Sequence, residues 1–247
     1  MTDHAILEGQ LSIRAALKAQ SREIHRIYVD KTARFDVMAA LGRLAREAGV
    51  PFERADGEFI TSHASGKTHG GVIAFAGERK FVQLEDLLKG TDRPFVVMLD
   101  GFEDPFNFGQ AVRSLYAAGA DGVVVRPRNW TSAAAVVARS SAGASELMPM
   151  AIAETALDAA SFFRERGLTV ACTAKTNAVS IYHADLTIPL FLVIGGEKRG
   201  ITRSFTHQAD LLLSVPYGRW LESSLAAGHA AAVISFEVMR QRKHAKK

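Results

Sequence analysis

Five short, predominantly apolar runs, at 95–99, 122–125, 168–171, 190–194 and 211–215, constrain the fold of this 247-residue chain more than any other feature. Each run has the length of a strand. None alternates apolar with polar as a strand with one wet face does, so each reads as a strand buried on both sides. Helical periodicity fills the intervals, notably at 157–166 and 223–242. Buried strands alternating with helices predict an α/β fold with a mostly parallel sheet and helices on both faces. Such sheets bind ligands beyond the carboxyl ends of their strands, so the loops after these runs are where chemistry is expected.

The first eighty residues read as a separate small α/β unit. Residues 6–19 have apolar positions at helical spacing, 26–29 form a short strand, and 35–48 make a second amphipathic helix through Val37, Met38, Leu41, Leu44 and Ala45. Gly49 suits the C′ position of that helix. Segments 50–53 and 71–75 are further extended candidates, and 61–71 is a polar, glycine-rich loop. The expected organisation is a domain over 1–77, a linker containing a short helix over 78–93, and a second domain over 94–247.

Composition narrows the class. No apolar run approaches the roughly 18 residues of a membrane span, and the first twenty residues lack the apolar core and cleavage site of a secretory signal. Cys172 is the only cysteine, which fits a reducing cytoplasm. A net charge of +4 suits a polyanionic partner without demanding one, because the excess is spread evenly. The densest basic patch is the tail Arg240, Arg242, Lys243, Lys246 and Lys247. It reads as a solvated helix end, with phosphate contact as the second reading.

Three loops after buried runs carry candidate chemistry. In the first, from Asp100 to Arg113, Asp104-Pro105 initiates a turn, Asn107 can cap the following helix, and Arg113 lies about a turn and a half further on. The second, Gly195-Gly196-Glu197-Lys198-Arg199-Gly200, lets backbone approach a ligand closely. It is neither a P-loop nor a dinucleotide fingerprint. The third runs from Val215, Pro216, Tyr217 and Gly218 to Ser223, Ser224 and Leu225, then enters an alanine-rich helix that Ser223 or Ser224 would cap. Small residues on that helix permit close approach of the sheet or of a second subunit. Each loop alone also reads as ordinary turn and capping chemistry.

Taken together, in this order and at these places, the loops resemble the three motifs of the SpoU (TrmH-type) branch of the SPOUT methyltransferases. Asp100, Asp104, Pro105, Asn107, Gly109 and Arg113 fill the pattern D-x-x-x-D-P-x-N-x-G-x-x-x-R. Gly195, Glu197 and Gly200 fill G-x-E-x-x-G, and Pro216, Gly218, Ser224 and Leu225 match I-P-M-x-G-x-x-x-S-L-N. The segment Ser141-Ala142-Gly143-Ala144 resembles a family segment between the first two motifs. Upstream, Glu8-Gly9, the 26–29 strand and residues 69–74 resemble, more loosely, the L30e-like RNA-binding domain of ribosomal-RNA ribose methyltransferases.

The resemblance implies a trefoil knot in the C-terminal part of the chain, an obligate homodimer with the active site near its interface, and S-adenosylmethionine as cofactor. It implies methyl transfer to a ribose 2′-oxygen, with ribosomal RNA favoured and transfer RNA the alternative. No metal and no membrane are implied. Arg113 is the residue implied at the nucleophile. A guanidinium is too weak a base to take the proton, so its expected role is to stabilise the developing alkoxide and hold the adjacent phosphate. Asn107 is expected to orient Arg113 or the RNA, and Glu197 to brace the cofactor loop. Thr173, Gly195, Gly196, Glu197, Gly200, Val215, Pro216, Tyr217, Ser224 and Leu225 are the implied cofactor residues, with Ser224 also near the catalytic centre. Arg139, Arg128 and Arg199 are the implied phosphate contacts.

The chain departs from the pattern in the third motif. Ala226 stands where the family has asparagine, Gly228 where it has its next serine, Tyr217 where it has methionine, and His229 where an apolar residue is usual. His229 reads as an interface or core residue first and as a compensating base second. An active enzyme and a non-catalytic RNA-binding relative are therefore both carried forward. An unrelated nucleotide-binding α/β protein is the third reading.

Overall fold

The structure is a computed structural model and describes residues 4–128, 133–196 and 200–245, with the backbone alone over 35–37. The chain begins with β1 (Ala5–Glu8), α1 (Gln10–Ala19), β2 (Ile24–Asp30), α2 (Phe35–Glu47), β3 (Phe52–Ala55), α3 (Gly57–His63) and β4 (Val72–Ala76), followed by a 3₁₀ turn at Leu84–Leu88. Then come β5 (Phe95–Asp100), α4 (Pro105–Ala117), β6 (Gly122–Val125), α5 (Ala134–Ser140), α6 (Ala144–Leu147), β7 (Met150–Ile152) and α7 (Ala156–Arg164). The last elements are β8 (Thr169–Thr173), β9 (Val179–Ser180), β10 (Leu190–Gly195), α8 (Arg203–Gln208), β11 (Leu211–Ser214) and α9 (Ala227–His244). They form two compact units, Met1–Lys80 with Arg128–Leu147, and Phe81–Pro127 with Met148–Lys247.

The first unit is built on a four-stranded sheet in the order β1-β4-β2-β3. Here the sequence reading needs correction. The helical spacing expected over 6–19 joins two elements, because Ala5–Glu8 is a strand paired antiparallel with β4. Two adjacent apolar residues, Ile6 and Leu7, suit either a helix or a strand, and the tertiary pairing decides. The loop expected over 61–71 yields its first three residues to α3.

Residues 128–147, which lie within the second domain in sequence order, pack with this first unit. Gly143 comes so close to α1 that a Cβ there would lie 2.8 Å from the Leu11 carbonyl oxygen. Arg22 and Glu146, both almost wholly buried, form an ion pair at 3.0 Å, and the Ser21 hydroxyl donates to the same carboxylate at 2.6 Å. Arg79 approaches Glu146 at 3.5 Å, and burial pulls its guanidinium down to about 10. Paired burial of this kind holds the segment in one place, since separating the partners would strand a desolvated charge.

The second unit contains a seven-stranded sheet in the order β7-β6-β5-β10-β8-β11-β9, parallel at every pairing. All five predicted strands are present. The two additions, β7 and β9, have three and two residues and sit at the edges, too short to leave a periodic signal. β5 and β6 are buried at every position, as strands covered on both faces must be. Beneath one face, Phe163 of α7 stacks on Phe191 of β10 with centroids 4.6 Å apart, inside a cluster with Val96, Met98, Val124, Val170 and Val193.

α9 packs along α4. A Cβ at Gly228 would lie 3.6 Å from the Asn107 carbonyl oxygen. The small residues that open α9 thus serve close approach to α4, where the sequence left the sheet or a second subunit as the alternatives. The basic tail is corrected too. Arg242 is a staple, donating to the carbonyls of Arg93 at 2.6 Å and Ile188 at 2.8 Å, and burial pushes its guanidinium pKa down. Arg240 is held by Glu237 at 2.7 Å. Lys246 and Lys247 lie outside the described residues. Among the described residues no helix is long and apolar enough to cross a membrane.

Candidate active site

The sheet order places the three motif loops side by side. β5, β10, β8 and β11 are consecutive neighbours, and their parallel pairing sends all four carboxyl ends to one edge. The register fixes the levels, with Gly195 opposite Asp100 and Thr173 opposite Leu213. Asp100–Gly101, Gly195–Gly196, Thr173 and Val215–Tyr217 therefore share one rim.

The β5 and β10 loops are in backbone contact. Gly196 N–H donates to the Asp100 carbonyl at 2.6 Å, and a Cβ at Gly196 would fall 2.1 Å from the Gly101 carbonyl oxygen. No side chain fits there. The Gly200 N–H closes the loop on the Gly196 carbonyl at 3.0 Å. Glu197 and Arg199 lie outside the described residues.

Sequence reasoning missed one residue at this rim. Arg126, just after β6, forms an ion pair with the nearly buried Asp100 at 2.9 Å. A cation directly following a buried strand was the available signal. The pair holds the first carboxylate of the first motif in place.

α4 is capped differently from the expectation. The Asp104 carboxylate accepts from the Phe106 and Asn107 N–H groups, both at 3.2 Å, and Pro105 occupies the first helical position. Asn107 is thus inside the first turn and is not the cap. It is half-buried and has no side-chain hydrogen bond to Arg113, which lies six residues further along the helix. Arg113 is exposed and makes no hydrogen bond or ion pair with any described residue. It is a cation held on a rigid helix and left available.

The third loop runs from β11 to α9. Residues 216–224 are all exposed, and the loop is tied off by the Leu225 N–H, which donates to the Tyr217 hydroxyl at 2.9 Å. The N-cap of α9 is Ala226, in extended geometry (φ −53°, ψ 141°) with no side-chain bond. Neither Ser223 nor Ser224 caps this helix, which corrects the expectation for both. The position that lacks the family asparagine is therefore an N-cap, one of the places where asparagine is most favoured. Spacing departs from the pattern as well, since Gly218 directly follows Tyr217 and the stretch from Pro216 to Ser224 is one residue longer. His229 is exposed on the first turn of α9.

The implied phosphate contacts fare unevenly. Arg139 lies on α5, where its guanidinium is engaged by the fully buried Glu8 carboxylate, which also accepts from the Ser65 hydroxyl at 2.6 Å. Desolvated Glu8 needs that partner, so Arg139 serves a structural ion pair through one guanidinium nitrogen while its side chain remains part-exposed. Arg128 is exposed.

A parallel α/β sheet with three motif loops on one carboxyl rim, the central one closed backbone to backbone, defines a SPOUT-type protein of the SpoU branch. The chain belongs to the SpoU rRNA Methylase family, whose model matches residues 94–236; residues 6–82 match the model for RNA 2′-O ribose methyltransferase substrate binding. It is 32% identical to the 23S rRNA (guanosine-2′-O-)-methyltransferase RlmB of Ralstonia nicotianae, over 98% of each chain. The RlmB of Shewanella oneidensis is 29% identical, over 98% of this chain and all of its own. Among solved structures, the SpoU methyltransferase AviRb from Streptomyces viridochromogenes in complex with AdoMet superposes with a TM-score of 0.80 at 22% identity, covering 97% of this chain and 90% of its own.

Proposed function

We propose that this protein transfers the methyl group of S-adenosylmethionine to a ribose 2′-hydroxyl of ribosomal RNA. The observation that carries the reading is the convergence of Asp100, Gly195–Gly196, Thr173 and Val215–Tyr217 at one rim, in a chain of the SpoU family. The names of the RlmB relatives support 23S ribosomal RNA over transfer RNA and a guanosine ribose as acceptor.

The rim suits the cofactor. The half-buried Thr173 hydroxyl at the end of β8 has no hydrogen-bond partner among the described residues, so it is available to a polar ligand. Backbone groups of Gly195, Gly196 and Val215–Tyr217 stand at the same rim, Leu225 is tied to Tyr217 ahead of α9, and this reading assigns Ser224 and Leu225 to the cofactor as well. When bound, the cofactor supplies a methyl group already activated for displacement. The chain's own residues orient the reactants and stabilise charge. Arg113 meets the negative charge that develops on the 2′-oxygen and grips a neighbouring phosphate. Arg126 holds Asp100, and the Asp104 cap fixes the start of the helix that carries Asn107 and Arg113. Glu197 braces the cofactor loop, and Arg128 and Arg199 contribute to phosphate attraction.

Two further family features belong to this reading. The chain is a homodimer through the outward faces of α4 and α9, where Phe106, Tyr116, Val233 and Phe236 are exposed apolar side chains. Its path through β10, β11 and α9 is a trefoil knot. The protein acts in the cytoplasm.

Ala226 favours a second reading, a relative that binds RNA and cofactor without transferring methyl. One experiment separates the two. Calorimetric titration with S-adenosylmethionine comes first, followed by mass spectrometry of nucleosides from undermodified ribosomal RNA incubated with the protein. Binding with a new 2′-O-methylated nucleoside establishes the enzyme. Binding without it establishes the second reading, and loss of both removes the cofactor assignment.

A further inference from the structure

We infer that Trp220 is a stacking residue for an unpaired nucleobase of the RNA, held at the tip of the loop between β11 and α9. The inference rests on the reading of this rim as the site of RNA methyl transfer and names a residue that determines which RNA enters. Trp220 is 86% exposed, the most exposed of the large apolar side chains among the described residues. An indole left in water at an unremarkable position is costly, since it is among the largest apolar surfaces a chain can present. Here the position is specific. The loop begins at the carboxyl end of β11, within the rim that carries Thr173 and Gly195.

Loop geometry explains why the ring stays out. The hydrogen bond from Leu225 N–H to the Tyr217 hydroxyl, 2.9 Å long, ties the two ends of the segment 218–224 together. Every residue of that segment is exposed. Arg219 and Trp220 are adjacent within this exposed, tied-off segment. Arg219 makes no ion pair among the described residues and is available to a phosphate; Glu222 follows two residues later, so net charge does not recruit the RNA and the ring must. Sequence-tolerant capture of unpaired nucleotides works in this way, with base faces on an aromatic side chain and phosphates on a neighbouring cation. A second copy of the chain is the competing occupant, and the test separates it.

Two tryptophans are present, Trp130 and Trp220, so a Trp130→Phe background makes fluorescence a report on Trp220 alone. An unstructured single-stranded RNA 12-mer and the corresponding duplex are the probes. Saturable quenching by the single strand and little by the duplex is expected. In the full-length protein, Trp220→Ala should weaken binding of the 12-mer and raise KM for undermodified ribosomal RNA by roughly 5- to 100-fold, while Trp220→Phe retains most of both. Calorimetric binding of S-adenosylmethionine and the sedimentation coefficient should not change. Unaltered RNA binding in Trp220→Ala overturns the proposal. So does dissociation of the Trp220→Ala protein into monomers, which assigns the ring to a protein contact. If the wild type binds cofactor yet transfers no methyl, the quenching and 12-mer arms still decide the role of Trp220 while the catalytic reading falls.

Discussion

Replacing Ala226 by asparagine should stabilise this protein, and the expected size follows from the geometry of α9. The helix runs for 18 residues from an N-cap without a side-chain acceptor. The Ala226 backbone is already extended, with φ −53° and ψ 141°, so asparagine enters without rearrangement. Its carboxamide oxygen would accept from the N–H of Gly228, a helix-start donor, whereas the His229 N–H already donates to the Ala226 carbonyl at 2.9 Å. Changing an alanine N-cap to asparagine contributes about 1 kcal/mol, within a range of about 0.5–2. For a unit of this size, that corresponds to a rise in Tm of roughly 2–4 °C. Differential scanning calorimetry of wild type and Ala226→Asn measures it, with Ser223→Ala and Ser224→Ala as controls that should leave Tm unchanged because neither hydroxyl caps the helix. An unchanged or lower Tm for Ala226→Asn, or a loss in either serine variant, would refute the assignment of Ala226 as the cap.

Three further outcomes follow from the same geometry. Gly196→Ala should abolish cofactor binding by calorimetry while leaving much of the fold, because its Cβ would fall 2.1 Å from a backbone oxygen of the neighbouring loop and must push the two loops apart. Glu146→Gln should lower the denaturant midpoint by the equivalent of about 3–5 kcal/mol, since buried Arg22 loses its countercharge; a loss below about 1 kcal/mol would show that the cluster is solvated. The buried Cys172 thiol, pushed up to about 11 from 9.0, favours the protonated form in the folded state, so its contribution is complete below pH 9 and lost as pH rises through 11. Wild type should therefore lose on the order of 2 kcal/mol more than Cys172→Ala over that window in parallel urea titrations, and parallel curves would contradict it.

What could be read in the sequence is what leaves a local signal. Strands buried on both faces leave mainly apolar runs, so all five strands were legible, although β11 is half-buried at three of its four positions, and the loops after them gave the site its location. β7 and β9 have too few residues to show a period, and β1 was hidden because its apolar pair continues the spacing of α1. Pairings distant in sequence were invisible for another reason. Nothing local to Arg139 points to Glu8, or local to Arg242 points to the carbonyls of Arg93 and Ile188, so both looked like free cations. The assignment of residues 128–147 to the first unit has the same origin, since Glu146 finds Arg22 across 124 positions. Capping was half legible. The right loops were found, but Asp104 caps α4 where Asn107 was expected, and Ala226 stands at the head of α9 where a serine was expected.

The central claim is that Arg113, an available cation on α4, stabilises charge on the ribose oxygen. Single-turnover methyl transfer to undermodified ribosomal RNA tests it most directly, with cofactor saturating and wild type compared with Arg113→Ala. The rate should fall by about 10²- to 10³-fold in the variant, with cofactor binding by calorimetry unchanged. Equal rates in the two proteins would contradict it.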